Sequence, residues 1–104
     1  MDVTLNRYIE ITPGIRSGKP RIAGTRITVA DIATMYHRMG QSLEEIAEKY
    51  QLTLASVHAA MAFYYDHREE IDRRTAQAEA LAEAERSKNP SLLQAKLDAA
   101  RNYA

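Results

Sequence analysis

The sequence contains no cysteine among its 104 residues. Without thiols it forms no disulfide, no thiolate metal site and no cysteine nucleophile, and it suits a reducing, cytoplasmic home. Long apolar runs are missing too: nothing approaches the ~20 residues of a membrane-spanning helix. The start, MDVTLNRYIE, has neither a cationic lead nor an apolar stretch, so no secretory signal is expected. Neither sign of charge is in excess, since 14 Lys and Arg balance 14 Asp and Glu. Domains that coat themselves with nucleic acid usually have a pI above about 9, so any such contact here is expected to be local.

Recognisable catalytic patterns are absent as well. The chain has no Ser/His/Asp set, phosphate-binding loop, dinucleotide glycine motif or isolated carboxylate pair, and the acids from Asp66 to Asp72 are interleaved with arginines. Of the three histidines, His58 and His67 are nine residues apart, on opposite faces of a continuous helix, and His37 has no His or carboxylate at i±4. The expectation is therefore a non-enzymatic protein with no metal and no cofactor.

What is present reads as one domain over residues 1–104, mainly helical, in three parts. Residues 1–28 are expected to form a basic β-hairpin. Tyr8-Ile9-Glu10-Ile11 alternates with the period of a half-buried strand, Thr12-Pro13-Gly14-Ile15 suits a type II turn, and Gly18, Pro20 and Gly24 punctuate two or three short strands. Residues 29–66 read as a three-helix core. Val29, Ile32, Ala33 and Tyr36 form the first stripe after a Thr28 cap. Leu43, Ile46, Ala47 and Tyr50 form the second after the capping box at Ser42, and Leu54, Val57, Met61 and Tyr64 the third after Thr53. Residues 67–104 read as a helical tail, the third helix continuing or restarting through the charged stretch, with Asn89-Pro90 as a break and Ser91 capping a last helix.

Two features invite a functional reading. From Ile11 to Ala30 there are four cations, Arg16, Lys19, Arg21 and Arg26, and no acid. Such a ribbon grips phosphates or an acidic partner, or else is an edge kept unpaired by charge; the sequence leaves both open. Ser42 to Ala62 has the layout of a helix-turn-helix, with Gln51 where glycine often stands. If Val57 faces inward, the outer face offers Thr53, Ala55, Ser56, His58, Ala59 and Ala62, none of which reads base edges bidentately. The alternative is a folding unit whose Ala55, Ala59, Ala60 and Ala62 pack on a partner subunit or on the tail. The aromatics Phe63-Tyr64-Tyr65 read as core or interface anchors.

The ordered pieces "ITPGIRSGKPRIAGTRIT", "SLEEIAEKY", "LTLASVHAAMAFYYDHREEID" and "PSLLQAKL" resemble the small bacterial proteins of domain of unknown function 433. The resemblance implies a homeodomain-like three-helix (helix-turn-helix) core with an N-terminal β-hairpin and a C-terminal helical extension. It further implies an antitoxin of a type II toxin–antitoxin pair, acting as a homodimer on a PIN-like nuclease toxin and on operator DNA. On that reading Arg16, Lys19, Arg21, Arg26, Thr53, Ser56 and His58 meet nucleic acid, and Leu81, Leu92, Leu93 and Leu97 meet the protein partner. The rivals are an interaction module with a pseudo-helix-turn-helix and no DNA binding, and a stand-alone DNA-binding regulator.

Overall fold

The computed structural model describes residues 7–88, in which two short strands, with a 3-10 turn at Arg16–Gly18 between them, precede four α-helices. Strand β1 (Ile9–Glu10) pairs antiparallel with β2 (Arg21–Ile22), Ile9 opposite Ile22 and Glu10 opposite Arg21. The Ile15 N–H donates to the Thr12 carbonyl at 3.1 Å over Gly14 at φ 86°, the type II turn that Pro13-Gly14 predicts. Of the third strand only an Arg21–Thr28 bridge forms. Gly24, at φ 77°, turns the chain back within Ile22–Thr25, and Thr28 is already committed to capping a helix.

Each core helix starts at the hydroxyl residue that the sequence marks. Thr28 Oγ1 accepts from the Asp31 N–H, while the Asp31 carboxylate accepts from the Thr28 N–H, both at 3.0 Å, and helix α1 (Val29–His37) follows. Ser42 and Glu45 make the same reciprocal pair at the start of α2 (Leu43–Tyr50). Thr53 caps α3 (Leu54–Asp66) through the Ser56 N–H. Between α2 and α3 the Leu52 N–H reaches the Ala47 carbonyl at 2.8 Å and the Gln51 N–H the Glu48 carbonyl at 3.3 Å, a Schellman closure. Gln51 sits at φ 56° in its left-handed position. That is the slot glycine fills without steric cost.

Helix α3 is the hub, packing on α1, on α2 and on both strands. Ile32, Ile46 and Val57, one from each helix, are fully buried, and burying each side chain stabilises by about 1.5–3 kcal/mol. Ala47 is also buried, and its small side chain suits a close approach between neighbouring helices. Four expectations need adjustment. Met35 faces the core and Tyr36 is exposed, as are Tyr50 at the end of α2 and Leu54, which stands at the first turn of α3. Ala60, expected on an outer face, is in the core at 0% exposure.

Helix α4 (Arg68–Lys88) restarts one residue after α3 ends. The chain divides into two units between Ile71 and Asp72. Ile71 is the last residue of the core cluster. From 72 to 88 all residues are exposed except the half-buried Arg74 and Thr75. The expected break at Asn89-Pro90 and cap at Ser91 lie outside the described residues.

Candidate interaction surface

The four cations of the basic run have different fates. Arg21 is 6% exposed, and its Nη2 donates to Glu10 Oε2 and Thr12 Oγ1, each at 3.2 Å. The strand register causes this by setting Glu10 opposite Arg21. Its Nε and Nη1 are buried with no hydrogen-bond partner. Arg16 Nη1 donates to the Arg26 carbonyl at 2.8 Å and lies 3.4 Å from Asp31 Oδ2, the carboxylate that also caps α1. The run therefore finds its counter-charges just beyond its two ends, at Glu10 and Asp31. Arg21, expected to face nucleic acid, is an interior side chain. Lys19 is half-buried and Arg26 exposed, and neither makes an ion pair among the described residues.

The start of α3 shows a similar split. Thr53 and His58 are exposed, as expected, but Ser56 is buried, its hydroxyl donating to the Thr53 carbonyl at 2.8 Å. That bond satisfies the hydroxyl inside the core and removes Ser56 from the outer face. The outward side chains of this turn are Thr53, Leu54, Ala55 and His58. Beside them lies a groove of about 270 Å³ lined by Arg7, Tyr8, Ile22, Ala23, Thr25, Gln51, Leu52, Thr53 and Ser56. Its walls combine apolar groups from Tyr8, Ile22 and Leu52 with the Arg7 cation. Sequence reasoning missed Arg7 and Tyr8 here, because the groove exists only once the hairpin closes on the α2–α3 turn.

Two histidines make contacts within the fold. His37 Nε2 is 2.9 Å from Tyr65 Oη, with Tyr36 and Tyr64 against its ring. His67 stacks on Phe63 at 4.1 Å between ring centroids. Of the aromatic run, Tyr64 is buried, Phe63 half-buried and Tyr65 exposed. Glu45 is fully solvated, yet the Ser42 backbone N–H, and then the Ser42 hydroxyl, hold its carboxyl below the ordinary range. Leu81 is 66% exposed on α4, and Leu92, Leu93 and Leu97 lie outside the described residues. Among the described residues no helix is long and apolar enough to cross a membrane.

Comparison with known proteins agrees with this architecture. The family described as "Protein of unknown function (DUF433)" matches residues 9–64, the hairpin and α1 to α3. A crystal structure of a DUF433 member protein from Anabaena variabilis is 36% identical, covering 71% of this chain and 73% of that one, with a TM-score of 0.63. No curated protein matches the chain.

Proposed function

The chain belongs to the DUF433 family, and from that premise we propose that it is a non-enzymatic, antitoxin-like binding protein whose helix α4 covers a nuclease-type toxin of the PIN-like kind. The observation that carries this reading is the exposure of every residue of α4 from Ala76 to Lys88, Leu81 included. That exposed stretch is about 20 Å long, and helical propensity alone leaves a helix of such length marginal in water. A partner's groove supplies the missing apolar contact, with Leu81 as its anchor. Tyr36, Met39 and Tyr65, all exposed on the core unit, suit a second copy of the chain in a homodimer.

The core then serves as a scaffold. Helix α3 turns outward no Arg, Lys, Asn or Gln that would read bases, so the helix-turn-helix layout acts by shape. Lys19 and Arg26 favour a second, subordinate reading in which the hairpin touches the backbone of operator DNA. Two neutralised phosphates give a salt slope of about −2, shallow beside that of dedicated DNA binders.

Co-expression with the product of the adjacent gene tests the first reading. Wild type is expected to co-purify with that product and protect cells from it, and Leu81→Asp to do so weakly. Failure of the wild type on both counts removes the antitoxin reading. Fluorescence anisotropy on the upstream DNA tests the second, using Lys19→Ala and Arg26→Ala. Arg21→Ala is unsuitable, because it disturbs the fold.

A further inference from the structure

The groove beside the α2–α3 turn, about 270 Å³ in volume, takes no part in the reading above. It lies just below the size of drug-binding pockets, which suits a ligand of about one amino-acid residue. Part of its lining is apolar: Ile22 is 3% exposed, and Tyr8 and Leu52 are half-buried. Arg7 supplies a cation, and no acidic residue lines the groove. The Arg7 guanidinium stands 5.4 Å from the centroid of the Tyr8 ring and makes no ion pair among the described residues. The ring holds the charge beside the apolar lining without neutralising it.

The polar side chains of the lining are not equally available. Thr25 Oγ1 donates to the Ile22 carbonyl at 2.9 Å and accepts from the Ile27 N–H at 3.1 Å. Ser56 Oγ gives its proton to the Thr53 carbonyl. Thr53 Oγ1 accepts from the Ser56 N–H, which leaves its own hydroxyl proton to donate. What remains for a ligand is that proton, the Gln51 amide and the Arg7 guanidinium. Donors predominate, and the one full charge is positive. Thr53 also caps α3, whose first turn holds no acidic residue, so the helix end adds to the positive potential. A dianionic phosphate would leave one charge uncompensated beside the apolar lining. A monoanion with an apolar body matches both parts of the groove.

We propose that this groove binds a small organic monocarboxylate, with its carboxylate on Arg7 and its aliphatic or aromatic body against Tyr8, Ile22 and Leu52. The site includes no residue of α4, and the proposal stands apart from any toxin partner. Its test is an NMR titration of the backbone amides of the full chain with N-acetyl-leucine and with benzoate. The neutral N-acetyl-leucinamide and benzamide are the controls. Saturable shifts at Ala23, Gln51, Leu52 and Thr53 are expected, with a Kd near about 1 mM for at least one acid. Binding is expected to weaken about tenfold for the matching neutral amide and for Arg7→Ala. Arg7 is exposed, so its replacement leaves the fold intact. No saturation by either acid at about 20 mM, equal binding of acid and amide, or undiminished affinity in Arg7→Ala overturns the proposal.

Discussion

Residues 7–71 and residues 72–88 are both rich in helix, yet only the first stretch buries its side chains. In the first, Ile32, Ile46, Val57 and Ala60 lose all exposure, and the three core helices begin at hydroxyl caps. In the second, alanine and glutamate give high helical propensity with Leu81 as the lone large apolar side chain. The difference teaches that helicity and folding are separate matters: one region is ordered by packing, while the other has helical preference without a packed face. The family match, residues 9–64, lies wholly within the packed region.

The sharpest way to break this contrast is a pair of truncations. Ile46→Ala is expected to cost about 2–5 kcal/mol in urea unfolding and Leu81→Ala less than about 0.5 kcal/mol; similar costs would mean that both regions are packed. A second contrast lies inside the basic run. Arg21→Ala removes a buried guanidinium from its pair with the exposed Glu10 and is expected to cost about 2 kcal/mol, whereas Arg26→Ala leaves the midpoint where it was. Gln51→Gly is expected to stabilise by about 0.5–1 kcal/mol, since it relieves the left-handed backbone of a side-chain-bearing residue.

The smallest effect concerns pH. Glu45 titrates lower in the folded state than in the unfolded one, so its contribution is present above the unfolded pKa and is lost as pH falls through the folded value. Melting temperatures measured downward from neutral pH through the carboxylate range should fall slightly less steeply for Ser42→Ala than for wild type. An unchanged slope would show that the Ser42 hydroxyl adds nothing to the hold that the residue 42 backbone N–H keeps on Glu45.

The caps were legible in the sequence because a hydroxyl and the amides two or three residues on form a self-contained chemical pattern, as at Thr28, Ser42 and Thr53. The fate of Arg21 was not. Its partner Glu10 is remote in sequence and becomes its neighbour only through strand register, and counting charge between Ile11 and Ala30 stopped one residue short of both relevant acids. The inward turn of Met35 and the burial of Ser56 escaped for a related reason: helical periodicity gives a face but not the extent of the surface that will cover it. The resemblance to DUF433, carried by "GKPRIAGTRIT", identified the hairpin on helices directly.

In the proposed function the exposed part of α4 is the working surface, and hydrogen exchange of the full chain with and without the product of the adjacent gene tests this most directly. Slowing confined to residues 76–88, with the protection of residues 7–71 unchanged, is the result expected. New protection at Lys19 and Arg26 alone, with α4 exchanging as before, would contradict it.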